Sequence, residues 1–250
     1  MATVPQLFAH SGAKSVAPDN TLPAFQAALD MRADGIELDV QCSKDGVLVV
    51  LHDYAVDALT DGHGAVDELT LEELQSLDAG SRFSPAFAGV RIPTLVEVLD
   101  LAGDRCLFNI EIKAYEHDGG DEGEALIDLI RRRNLFDQVI ISSFNPVSLI
   151  KLRATEPRIA LGLLYHQPLP AYLLDAWLGP IMAPEALHPH NSLVDAAYMD
   201  WAKERGKAIN VWTVNDPDEA RRLQALGVDI IITDAPDVLR AALSTEGAIA

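Results

Sequence analysis

A chain of 250 residues suffices for one large domain or two small ones, and 49% apolar residues can bury a sizeable core, which excludes a disordered chain. A formal charge of −19 excludes nucleic acid and anionic membrane as expected partners, because both recruit basic clusters. A small anionic substrate remains compatible, since a bound divalent cation reverses the local field inside an acidic protein.

The N-terminus, MATVPQLFAHSG, lacks a charged region followed by a long apolar stretch, and no apolar run approaches the roughly 18 residues of a membrane span. The chain therefore reads as cytoplasmic, without a transmembrane segment. The run Gln6 to Ala9 is too short for a helix and ends at His10-Ser11-Gly12, whereas Thr21 to Arg32 has helical spacing. This strand-then-helix pattern recurs. GIELDVQC is followed by an insertion, RCLFNIEIK by Glu122 to Arg133, and QVIISSF by Pro146 to Ala154. RIALGLLY precedes Ala171 to Trp177, and IMAPEALH precedes Ser192 to Arg205. AINVWTV then leads into Pro217 to Leu226, and VDIIITD into Pro236 to Leu243. Eight such units in about 250 residues predict a parallel sheet closed into a (β/α)8 barrel, the TIM barrel of α/β proteins. No Pro-, Gly- or Ser-rich linker divides the chain before the small polar tail Ser244 to Ala250, so residues 1–250 read as a single domain.

The main irregularity is an insertion after the second strand, at about 53–93, rich in Asp, Gly and Ser and placed to cap the site. Within it, Leu69 to Leu77 has the spacing of a short helix, with Thr70 as cap and Glu73 completing a capping box. Cys42 and Cys106 each lie in an apolar strand-like run and read as buried free thiols, which suits a reducing compartment.

In such a barrel the catalytic groups collect at the C-terminal ends of the strands. His10 ends the first. In GIELDV the two-residue period of a strand puts Glu37 and Asp39 on the inner face, leaving Ile36, Leu38 and Val40 for the helical layer. In FNIEIK the same period turns Asn109, Glu111 and Lys113 inward. Three inward carboxylates repel one another unless a counter-ion is present, and an all-oxygen set with open positions suits Mg²⁺ or Ca²⁺; a salt bridge from Lys113 is the alternative. The turn Ser43-Lys44-Asp45-Gly46 between apolar runs signals a hairpin whose register lays His52 beside Leu38 or Asp39. Two histidines converging on three acids supply the acid and the base that phosphodiester hydrolysis requires. His63, His117, His166, His188 and His190 lack this convergence and read as structural, with His188 held in reserve because its strand ends near the same mouth.

The blocks HSGAKSVAPDNTLPAF, GIELDVQCSKDGVLVVLHD, FNIEIK, NVWTVND and GVDIIITDAP resemble the motifs of the glycerophosphodiester phosphodiesterases, in family order and over nearly the whole chain. The resemblance implies metal-dependent hydrolysis of a small-molecule glycerophosphodiester to glycerol 3-phosphate and an alcohol. It makes His10 and His52 the acid–base pair, Glu37, Asp39 and Glu111 the metal ligands, Lys113 a phosphate contact and Trp212 a pocket aromatic. It also implies that the substrate's glycerol hydroxyl attacks phosphorus to give a cyclic phosphate that water opens. The chain departs from the family twice, with Ser11 where an Arg is usual and Asp19 where a Glu is usual. A serine brings no positive charge to the phosphate, so Lys14, in the same loop, is the candidate replacement alongside Ser11 itself as a substrate contact. Asp19 could shift a metal contact or help cap the following helix.

Competing readings are an enzyme of the same reaction class, or phospholipase D-like, with an altered substrate; an aldolase-like barrel with a Schiff base on Lys113; and a barrel that binds a phosphorylated ligand without turning it over.

Overall fold

The computed structural model describes residues 4–114, 119–168 and 181–244. His117, the expected helix Ala171 to Trp177 and the tail beyond Ser244 lie outside these residues. Nine strands are described: β1 (Gln6–His10), β2 (Gly35–Cys42), β3 (Leu48–Val50), β4 (Leu107–Ile112), β5 (Val139–Ser143), β6 (Ala160–Tyr165), β7 (Ala186–Pro189), β8 (Ala208–Val211) and β9 (Ile230–Thr233). The described helices are α1 (Leu22–Asp30), α2 (Leu71–Ser76), α3 (Leu95–Ala102), α4 (Glu122–Arg133), α5 (Pro146–Thr155), α6 (Ala196–Glu204), α7 (Pro217–Leu226) and α8 (Pro236–Ser244). None of them is long and apolar enough to cross a membrane.

Eight strands pair in parallel and close, β9 returning to β1 and β1 pairing with β2, so the predicted barrel forms. The two-residue period decides which side chains do what. Ile36, Leu38 and Val40 of β2 and Phe108, Ile110 and Ile112 of β4 join the main apolar core with Phe25, Leu95, Val98 and Leu126 of the surrounding helices. The alternate positions of the same strands are left for the polar interior. Several helices start on local signals: Pro at the first turn with Asn145 or Asp216 capping, and a complete capping box at Thr94 and Glu97.

β3 is the ninth strand and lies outside the closed ring, antiparallel to β2, with Val40 opposite Val50 and Cys42 opposite Leu48. This is the hairpin register expected from the Asp45-Gly46 turn. Gly46 sits at φ 78°, in the left-handed region that an Asp-Gly turn demands. The insertion then runs through short 3-10 turns and α2, where Thr70 and Glu73 make the predicted capping box. Val49, Leu51, Val56, Val66, Leu74, Ala79 and Ile92 form a second apolar cluster that fastens the insertion to the hairpin.

Two expectations need correction. The helix expected from Ser192 starts at Ala196, because Asp195 caps it by accepting from the Tyr198 N–H at 2.8 Å and residues 191–193 form a 3-10 turn instead. Cys106 is buried, but Cys42, at the end of β2, is only half-buried. Both thiols are free, and burial pushes their pKa up to about 12 for Cys42 and about 11 for Cys106, which makes them unreactive near neutrality.

Candidate active site

Glu37 and Asp39 of β2 and Glu111 of β4 meet at the C-terminal mouth of the barrel, with Asp39 and Glu111 adjacent across the β2–β4 ladder. One oxygen from each lies within 4.8 Å of the others, and all three side chains are buried. Lys113, two residues on from Glu111, donates to its Oε1 at 2.8 Å and stands 3.7 Å from Asp39 Oδ1. The salt bridge weighed against a metal is therefore present. One ammonium does not balance three carboxylates, however. Burial first, and then repulsion from Asp39 and Glu111, raises the Glu37 pKa well above the usual range despite the Ser11 N–H and Lys113. Burial and Asp39 likewise push Glu111 up to about 7, more than Lys113 can offset. Burial would lower the pKa of Lys113, but attraction to Glu111 and Asp39 outweighs it and holds the ammonium charged.

A set of three buried oxygen ligands still repelling one another fits a hard divalent cation such as Mg²⁺ or Ca²⁺. The surrounding residues aim the ligands. Asn20 donates to Asp39 Oδ2 at 2.8 Å and accepts from the Asp39 backbone N–H, and the Ser11 N–H donates to Glu37 Oε2 at 3.0 Å. Asn20 went unremarked in the sequence, although it adjoins the Asp19 departure. Asp19 itself is half-buried beside it, and the side chain that fixes the α1 entry belongs to Thr21, which donates to the Pro18 carbonyl.

His10 ends β1, paired in register with Glu37, and its Nδ1 lies 2.7 Å from Asp234 Oδ1 at the end of β9. Asp234 also accepts from Asn215 and stands 3.5 Å from the ammonium of Lys14. Burial would raise its pKa, but the hydrogen bond and charge of His10, with Asn215 and Lys14, hold it below the usual range. His52 follows β3, next to Leu51, whose N–H donates to the Asp39 carbonyl. Gln41, buried on β2, donates to the carbonyls of both Leu51 and Asp53 and so grips the chain on either side of His52. The His52 Nδ1 lies 2.7 Å from Asp53 Oδ1, and its charge is felt at Glu111. Both histidines thus carry a carboxylate on Nδ1. Neither Asp234 nor Gln41 was singled out in the sequence, though Asp234 occupies a strand end, where such residues collect.

Ser11 is 2% exposed at φ 52°, and its Oγ turns to Asp39 Oδ2 at 3.5 Å. It faces the acid cluster rather than open space. Trp212, following β8, donates its indole N–H to the His188 carbonyl at 2.8 Å and stands edge-on to Phe144 and His190, each 5.4 Å away. Phe144, His166, His190 and Trp212 follow the ends of β5 to β8 in turn, on the arc of the mouth away from β1 and β2. The reserved His188 points elsewhere. It is fully buried beneath Trp212, its Nε2 is 2.9 Å from Asn210 Nδ2, and burial pushes its pKa down to about 3. Gly162 makes room for it, since a Cβ there would lie 2.3 Å from Nε2. His63 pairs with Asp57 in the insertion, away from the acids.

The family model of the glycerophosphoryl diester phosphodiesterase family matches residues 10–238. The chain is 43% identical to a glycerophosphodiester phosphodiesterase of Caldanaerobacter subterraneus subsp. tengcongensis, over 93% of this chain and 95% of that one. It is 37% identical to one of Bacillus altitudinis, over 93% and 95% of the two chains. Among solved structures, an Oleispira antarctica phosphodiesterase in complex with the product sn-glycerol-3-phosphate superposes with a TM-score of 0.87 at 28% identity, over 97% of this chain and 98% of that one.

Proposed function

The chain belongs to the glycerophosphoryl diester phosphodiesterase family and is a phosphoric diester hydrolase acting on glycerophosphodiesters, and from that premise we propose that His10 and His52 are its acid–base pair beside a metal held by Glu37, Asp39 and Glu111. The observation that carries this reading is the undercompensated acid cluster with Lys113 as its only ion-pair partner among the described residues. Bound there, Mg²⁺ or Ca²⁺ would neutralise charge on the phosphate oxygens. The product is glycerol 3-phosphate, the molecule held by the related Oleispira enzyme, together with a free alcohol.

The chain's own residues then divide the work. With Nδ1 occupied by a carboxylate, each imidazole offers Nε2 to the substrate. One histidine removes the proton of the glycerol hydroxyl as its oxygen attacks phosphorus, and the other protonates the alkoxide as the P–O bond to the alcohol breaks. Water then opens the cyclic phosphate with the two roles exchanged. Lys113 and Lys14 supply positive charge to the phosphate, Ser11 belongs to the loop that carries Lys14, and Trp212 borders the alcohol. We read residues 1–250 as one barrel domain, working on a small molecule in a reducing, cytoplasmic setting, which the two free cysteines support.

The test is release of glycerol 3-phosphate from glycerophosphocholine, glycerophosphoethanolamine and glycerophosphoglycerol, with and without added Mg²⁺ or Ca²⁺. We expect turnover that chelator abolishes and either ion restores. Full activity after exhaustive chelation would refute the metal, and turnover of an aryl phosphodiester alone would refute the substrate class.

A further inference from the structure

We infer that Asp234 is a positioning residue with two partners at once: it fixes the proton on His10 and anchors Lys14 at the edge of the phosphate site. The inference rests on the hydrolase mechanism proposed above. Asp234 directly follows β9, the strand that closes the barrel against β1, so a rigid ladder sets its distance from His10. Its Oδ1 accepts from His10 Nδ1 at 2.7 Å and lies 3.5 Å from Lys14 Nζ, and its Oδ2 accepts from Asn215 Nδ2 at 2.6 Å. Asn215 in turn accepts from the Asp234 backbone N–H and from Thr233 Oγ1, so the carboxylate is clamped from its own backbone. The loop that carries Lys14 is tied to the same residue, because the Ser15 N–H donates to the Asp234 carbonyl at 3.3 Å.

Each partner gains something that it lacks alone. A carboxylate on Nδ1 selects the tautomer whose Nε2 exchanges a proton with the substrate. A lysine stem is flexible, and an ion pair that leaves it 34% exposed keeps its ammonium beside His10 while still open to a ligand. Lys113 cannot serve there, since it is committed to Glu111 and Asp39, and Ser11 brings no charge. Asp234 thus makes the acid–base group and the phosphate cation on this side of the site one unit.

The test uses the full chain with saturating Mg²⁺, following release of glycerol 3-phosphate from glycerophosphoglycerol and calorimetric binding of glycerol 3-phosphate. Asp234→Asn keeps the shape of the side chain. Because Asn215 donates to one oxygen, the new amide N–H₂ faces His10 Nδ1 and forces the wrong tautomer, so kcat should fall by about 100-fold, the scale of one acid–base group. Asp234→Glu should recover part of that loss. Lys14→Ala should weaken product binding more than it lowers kcat, and adding it to Asp234→Asn should weaken binding no further, since the anchor is already gone. Wild-type kcat in a folded Asp234→Asn protein, or additive losses of product binding in the double variant, would overturn the inference while leaving the hydrolase reading standing. A wild-type protein that releases no glycerol 3-phosphate would instead overturn that reading and this inference with it.

Discussion

At the scale of residues, the acid cluster is the feature whose chemistry is most constrained. A Glu111 pKa pushed up to about 7, from an ordinary 4.5, means that the metal-free folded protein holds a proton that the unfolded chain has already released between those two values. Stability from this group is therefore present below about 4.5 and is lost as the pH rises to about 7. Glu111→Gln removes the effect. In chelator, the melting temperature of the variant relative to wild type should be more favourable at pH 8 than at pH 4.5, and added Mg²⁺ at pH 8 should stabilise wild type far more than the variant. A difference that does not change with pH would show that Glu111 titrates normally. The three acids, His10 and Lys113 were legible in the sequence because strand period and strand ends determine where such side chains point. Asp234, Asn20 and Gln41 were not. Their roles depend on which distant strands and loops the closed barrel brings side by side, as when β9 meets β1, and one sequence carries no local signal of that. Ser11 was legible as a missing charge, but its turn toward Asp39 follows from a left-handed backbone that the sequence does not announce for a serine.

At the scale of elements, the β2–β3 hairpin is what brings His52 to the site, and its turn was readable because Asp-Gly chemistry is local. Gly46 has nothing within 4 Å of where a Cβ would sit, so a side chain there meets strain alone. Gly46→Ala should cost about 1 kcal/mol through its left-handed φ, and Gly46→Asn less, as measured by urea unfolding. Equal stability of all three proteins would mean that the turn does not depend on this conformation. The eight barrel strands, and the six expected helices that follow β1, β4, β5, β7, β8 and β9 among the described residues, were legible for the same reason of local periodicity, and the β2–β3 register followed from the turn. What the sequence left open was the second apolar cluster under the insertion, where Val56, Val66 and Ile92 are too scattered to show a period. The start of α6 was misplaced because Asp195, a stronger cap than Ser192 in this setting, lies three residues further on.

At the scale of the whole molecule, the formal charge of −19 works with the site for its cation and against it for its substrate. The consequence is a salt effect that depends on substrate charge. For anionic glycerophosphoglycerol, kcat/KM should rise from low salt to about 0.15 M as repulsion is screened, while zwitterionic glycerophosphocholine should change little. A fall with salt for the anionic substrate would mean that Lys14 and Lys113 dominate the approach field. The mouth is also unevenly furnished, with His10, the three acids and His52 on or just after β1, β2, β3 and β4, and Phe144, His166, His190 and Trp212 after β5 to β8. The central claim is that the histidines beside the acids do the proton transfers. It is tested most directly by the rate of glycerol 3-phosphate release from glycerophosphoglycerol with Mg²⁺ in His10→Ala. The rate should fall by about 100-fold or more with metal affinity unchanged, whereas a wild-type rate in that variant would contradict the assignment.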